Sequence, residues 1–284
     1  MWLWMSVCSA VLLGIYDVTK KQSLKNNSVL YVLLGATAIS SLILSPFLRI
    51  GPASDHLALV LKGALVTTSW VSGLIALKLL PLTTASTIKA SRPVFVVVFS
   101  IILFGEKLNI WQWAGIVLAI AALYLLSVSS KKEGIRFTGN KGIMWMVVSV
   151  LSGAASALYD KHIIGDMEPL FVQSWANVYV TVMLGICVLV KALRDGPEKR
   201  DRFSWDWKLL VIAVFITCSD ALYFFALKDT DALLSVISMI RRCSVVITFV
   251  LGALLFHERR IRDKAVTLLI LLAGMALLLF GSSI

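Results

Sequence analysis

Residues 1–17 of this chain, MWLWMSVCSAVLLGIYD, return without a gap at 144–160 as MWMVVSVLSGAASALYD. Seven of the seventeen positions are identical, Tyr16/Tyr159 and Asp17/Asp160 among them, so the match is an internal repeat. A second register, offset by 152, lays Ser86, Ile88 and Lys89 on Ser238, Ile240 and Arg241, and Glu106 on Glu258. Each copy holds five apolar runs. If each run crosses a bilayer, the odd count turns the second copy upside down relative to the first, the arrangement of inverted-repeat membrane proteins.

The runs are long enough to cross. They lie at roughly 2–18, 28–48, 58–80, 84–104, 110–129, 141–161, 169–193, 205–228, 231–256 and 262–281, close to the ~20 residues that span a hydrocarbon core. Charged residues are 15% of the chain, against about 25% for a soluble domain, and mean hydropathy is +0.89. The expected fold class is therefore an all-α integral membrane protein, ten transmembrane helices as two inverted five-helix repeats. The first run lacks a basic leading segment and a small-residue cleavage site, so it reads as a retained helix. The divisions are a first repeat at 1–130, a charged linker at 131–140 and a second repeat at 141–284.

A net charge of +11 raises the question of nucleic acid, but its placement answers it. Loops after odd-numbered runs carry seventeen Lys and Arg, and loops after even-numbered runs carry five: Arg49, Lys62, Lys107, Lys161 and Lys228. Basic residues accumulate on the cytoplasmic side, so the count puts both termini outside the cytoplasm. The expected location is the cytoplasmic (inner) membrane, with lipid as a partner and no nucleic acid. The four cysteines (Cys8, Cys187, Cys218, Cys243) sit inside apolar runs with no metal-ligand spacing. They read as buried, inert thiols, and no metal or cofactor is expected.

The phrase ending each half then carries a resemblance. RPVFVVVFSIILFGEKLNIWQWAGIVLAIAALYLL (92–126) resembles the proline-led fourth helix, Gly-Glu turn and glycine-bearing fifth helix of the drug/metabolite transporter superfamily, in the group built from two EamA domains. The second copy, at 244–279, keeps Glu258 but has Val245 where Pro93 stands and His257 where Gly105 stands. The resemblance covers essentially the whole chain. It implies a ten-helix secondary transporter for a small molecule, and termini in the cytoplasm, opposite to the Lys/Arg count.

Polar groups inside the runs are costly and need a reason. Lys89 and Arg92 are three apart and share a helix face with Ser86. At about 1.5 Å per residue, Arg92 lies roughly 21 Å from Glu106, hence some 10 Å deep. Lys89 and Arg241 stand the same distance before Glu106 and Glu258, which puts them near opposite mouths of one path and suits an anion. Alternatively, they snorkel to headgroups or pair with acids. Asp17 and Asp160 each follow a tyrosine, Tyr16 and Tyr159. They read either as helix-end acids paired to a lysine or as coupling sites at each mouth. Asp220 is the deepest acid and stands opposite Arg92, Arg241 or Arg242. A protonatable Asp220 would couple transport to protons, whereas a fixed Asp–Arg pair would not. Trp70 is mid-run, either packed or lining the path, and Pro93 is a kink or a gate. Trp2, Trp4, Trp111, Trp113, Trp205 and Trp207 fall at run ends, as an interfacial belt does.

These groups fit a secondary active transporter, an exporter or exchanger of a small polar or anionic metabolite working by alternating access, with a proton or ion as possible coupling partner. A flippase for a lipid or lipid-linked head group remains an alternative on the same fold. An integral-membrane enzyme is the weaker one, because H-E-x-x-H, G-x-S-x-G and GxxxxGK[ST] are all missing, so no catalytic residue is assigned. The oligomeric state is left open between monomer and homodimer.

Overall fold

The computed structural model describes residues 2–25, 27–95, 99, 109–131, 137–164, 167–195, 204–227, 240–241, 243–256 and 261–283. Ten α-helices occur among them: α1 Trp2–Ser23, α2 Val29–Leu44, α3 Ala53–Leu79, α4 Leu82–Ala90, α5 Ile110–Lys131, α6 Lys141–Ile164, α7 Pro169–Asp195, α8 Lys208–Leu227, α9 Ser244–Phe256 and α10 Ile261–Ser283. There is no strand among the described residues. Six helices, α1, α2, α3, α5, α6 and α7, are long and apolar enough by length and composition to cross a membrane. Runs 84–104 and 231–256 are described only in part. Gly105, Glu106, Ser238, Arg242, His257 and Glu258 lie outside the described residues, as do 132–136 of the linker.

Local chemistry sets the helix ends. Leu80 is extended (φ −117°, ψ 155°) because a residue before proline is pushed out of the helical region, so α3 stops ahead of Pro81. Lys21 Nζ donates to the Leu77 and Leu80 carbonyls that this stop leaves open, a cation at the negative end of a helix. At the start of α5, Asn109 and Gln112 cap each other reciprocally, which satisfies donors that the first turn cannot.

The equivalent helices of the two halves pack against each other, and they run antiparallel. In α2/α7, Ser41 meets Thr181 while Arg49 meets Glu168. In α5/α10, Gly115 meets Gly274 while Gln112 meets Gly281. In α4/α9, Leu82 meets Gly252, while Ala90 and Val94 share a cluster with Val245 and Phe249. The remaining pairs exchange in the same way: α1 packs on α8 as α6 packs on α3. This is the inverted two-fold relation that five-span repeats require.

Small and polar residues hold the crossings, since bilayer helices gain nothing from burying leucine away from lipid. Ser9 Oγ and Ser219 Oγ each donate to the other's carbonyl at α1/α8 (2.8 and 2.9 Å). Ser69 and Ser149 do the same at α3/α6 (2.8 and 2.6 Å). The pseudo-two-fold thus matches Ser9 with Ser149, whereas the sequence register matches Ser9 with Ser152. The two differ by one helical turn. Both helices carry a second serine three residues away on the same face (Ser6 and Ser152), which instead bonds within its own helix. Outer faces are apolar: Val182, Ile186, Leu189, Val190 and Leu193 form an exposed stripe on α7. Trp4, Trp111, Trp113, Trp205 and Trp207 are exposed near helix ends. The four cysteines are exposed rather than buried, since a thiol is small and apolar enough to sit on an outer surface as well as in packing.

Candidate functional site

A cavity enclosing about 470 Å³ of empty space, mouth included, lies between α1, α3, α4, α6 and α9. It occupies the end of the bundle where α1 and α3 finish and α4 and α6 begin. The α4 face turned into it repeats at helical spacing: Leu82, Ala85, Ser86 and Lys89. Beyond α4 the chain turns at Ser91, whose N–H donates to the Ile88 carbonyl (3.0 Å). A new helical turn begins at Arg92, and Arg92 also lines the cavity.

That break is built into both halves. Val94 N–H donates to Ser91 O (3.0 Å), Cys243 N–H to Ile240 O (3.0 Å) and Val246 N–H to Cys243 O (2.9 Å). With the Ser91 bond, these form two equivalent pairs at the offset of 152. Pro93 has no N–H to give back to Lys89, which suits a helix interruption. Yet the same break occurs beside Val245, so the proline alone does not create it.

Among the described residues four charged side chains line the cavity, and all belong to the first repeat. Lys89 Nζ holds both oxygens of Asp17, at 2.8 and 2.7 Å. Lys20, 6% exposed, sits over the Tyr16 ring, with Nζ 3.9 Å from its centroid and 5.6 Å from that of Trp70, a cation–π arrangement. Arg92 reaches past α3 to lay its guanidinium on the α6 backbone at Gly153, where any Cβ would collide with it. Its Nη2 donates to Ser69 Oγ at 3.3 Å, and its buried Nε has no hydrogen-bond partner. Ser69 and Ser149, whose hydroxyls are committed to the α3/α6 crossing, complete the polar wall.

The second half is arranged differently. Arg241 pairs with Asp220 on α8 and stacks over the Tyr223 ring, 4.5 Å from its centroid; neither Arg241 nor Asp220 lines the cavity. In the register of the sequence repeat Asp160 would answer Arg241 as Asp17 answers Lys89, but the serine crossings match Asp17 with Ala157, one turn earlier. The Asp160 side chain lies outside the described residues. Trp70 and Asp220 follow Ser69 and Ser219 directly, so a tryptophan in one repeat stands where the other carries the acid that takes the arginine. Tyr159 packs in a separate apolar cluster with Leu59, Ile163 and Val172.

The structure therefore gathers Asp17, Trp70, Lys89 and Arg92 around one cavity, with Tyr16 buried beneath Lys20. It leaves Arg241 and Asp220 to each other. Sequence reasoning counted Lys20 as a loop cation, because the first apolar run ends at 18. The helix continues to Ser23, and Lys20 stands one turn beyond Tyr16 and Asp17 on the inward face. That i, i+3/i+4 spacing was the available signal. Lys264, also counted as a loop cation, is fully buried at the start of α10. Gly153 reads in the sequence only as one of several glycines that let helices approach, and Ser69 and Ser149 carried no signal, since nothing in one dimension says which serine or glycine faces a cation.

The profile of the EamA-like transporter family matches residues 1–128 and again 140–280. No curated protein matches. Among solved structures, one crystal structure superposes with a TM-score of 0.66 at 15% identity, covering 97% of this chain and 94% of its own, which is a likeness of fold.

Proposed function

Because this chain belongs to the EamA-like transporter family, and so is a multi-pass membrane transporter for a small molecule, we propose that its cargo is a small anionic metabolite bound in the α1/α3/α4/α6 cavity. One observation carries this reading. The cavity is lined by three cations and one carboxylate, and that carboxylate is already taken by Lys89. Isolated cations in a bilayer protein are costly and persist where a ligand or partner answers them. In this reading Lys20, Lys89 and Arg92 bind the anion, Trp70 packs on it and Asp17 holds Lys89 in place. The breaks at Ser91 and Cys243 are the joints at which the repeats rock. Alternating access moves the cargo as an exporter or exchanger across the cytoplasmic membrane.

Orientation belongs to the same proposal. Removing the buried Lys20 and Lys264 leaves fifteen basic residues after odd helices against five after even ones. The bias supports extracytoplasmic termini and a cavity facing the cytoplasm. A fluorescent or phosphatase reporter fused after Ile284 tests it, and activity of the cytoplasmic reporter alone overturns it. For the cargo, uptake into proteoliposomes is measured with anionic and neutral probes of one size. Arg92→Gln should weaken anion uptake, and wild-type uptake by that variant removes Arg92 from the site. Saturable movement of fluorescent lipids with no uptake of soluble anions would favour a flippase instead.

A further inference from the structure

The charges in the cavity do more than choose a sign. We infer, on the basis of the anion reading above, that the cargo carries two negative charges, as a phosphate monoester or a small dicarboxylate does. Lys89 and Asp17 neutralise each other through a two-oxygen contact. Among the described residues no carboxylate pairs with Lys20 or Arg92. With Lys20 protonated, the described lining of the cavity therefore carries +2. Lys20 is nearly sealed from solvent, and Arg92 has a buried Nε lacking any partner, so water compensates neither fully. A neutral cargo leaves both charges unanswered and a monoanion leaves one. A dianion closes the count, with charge-assisted donors from a lysine and an arginine. Among the described residues the second repeat contributes only uncharged side chains to the wall: Met146, Ser149 and Thr248. Arg241 is neutralised by Asp220, so among the described residues no further surplus faces the cargo from that side.

The test uses the full-length protein in phosphatidylcholine nanodiscs, free of anionic lipid, with binding read by calorimetry. Methyl, dimethyl and trimethyl phosphate differ in charge by one step at nearly constant size; at pH about 8 the monoester is a dianion, its second ionisation lying near 6. Malonate and its monomethyl ester form a parallel pair that separates phosphate from dicarboxylate chemistry. In at least one series the dianion is expected to bind roughly tenfold or more tighter than the monoanion, as one extra charge facing a poorly solvated cation requires. Arg92→Gln and Lys20→Met each lower the cavity to +1 and should erase that preference while monoanion binding persists. Arg92→Lys keeps the charge and should keep the preference, which separates charge from a packing role. Melting temperatures without ligand check that each variant is folded, and if Arg92→Gln does not fold, Lys20→Met carries the test. Equal binding of monoanion and dianion to the wild type overturns the inference and leaves the anion reading standing. Equal binding of the neutral triester overturns both. So does a lack of binding by every probe.

Discussion

Gly153→Ala tests the cavity at the point where fold and site pull in opposite directions. A Cβ built at Gly153 stands 2.7 Å from Arg92 Nε and closer still to Cζ and Nη2, against an ordinary contact of about 3.5 Å. The obstacle is the far end of a flexible side chain, so Arg92 yields and the helices stay. The guanidinium must retreat by about 1 Å, which lengthens the 3.3 Å bond to Ser69 Oγ beyond hydrogen-bonding range. Losing a charged donor from its place costs about 1.5–3 kcal/mol, roughly a 10- to 150-fold weaker anion affinity. Against this, alanine in place of glycine inside a helix contributes about 0.8–1 kcal/mol of stability. The expected signature is a melting temperature unchanged or raised in detergent, with anion affinity lowered by at least tenfold. The opposite pattern, a clear loss of stability with affinity intact, would refute the reasoning. It would mean that Arg92 is locked and that Gly153 serves packing alone.

Gly115→Ala should behave as its converse. The added Cβ meets the Gly274 carbonyl at 2.6 Å, and backbone cannot rotate aside, so α5 and α10 must separate at a cost of about 1–3 kcal/mol, read as a lower melting temperature. Asp17→Asn releases Lys89 and raises the cavity charge, so anion binding should tighten; adding Lys89→Met should bring it back, and unchanged affinity in both would remove the ion pair from the site. Ser9→Cys with Ser219→Cys should cross-link under mild oxidant, since the two hydroxyls are 2.9 Å apart, whereas Ser6→Cys with Ser219→Cys should not. The reverse result would restore the register suggested by the sequence repeat. Arg49 and Glu168 are 72% and 45% exposed, so Glu168→Ala should change stability by less than about 1 kcal/mol, within the spread of the thermal measurement.

How much of the site was legible follows residue by residue. The Ser86–Lys89 face was readable, because spacing along one helix fixes which side chains share a side, whereas Arg92 reaches the same cavity from beyond the break at Ser91 that the spacing argument did not foresee. Asp220 was recognisable as an acid needing a cation, but three arginines were eligible and only the rotation of α8 against the segment carrying Arg241 chose between them. Lys20 was missed because hydropathy marks where a run stops being apolar, and a helix does not stop there when its last turn packs against neighbours. Pro93 drew attention as a helix breaker, while the equivalent break beside Val245 left no mark in the sequence.

By itself the sequence determined the class and the symmetry. Apolar runs of membrane-spanning length, repeated five and five, admit few folds other than two inverted helical repeats, because every backbone polar group in a bilayer must be satisfied within its own helix. Only the tertiary structure decided which charges cancel and which remain. Asp17 serves Lys89 across 72 residues, Asp220 serves Arg241, and among the described residues Lys20 and Arg92 face the cavity with no close ion pair of their own. The depth and rotation of each helix set these partnerships, and both depend on crossings such as Ser69/Ser149 and Gly115/Gly274, where contact between distant segments fixes what the local sequence leaves free.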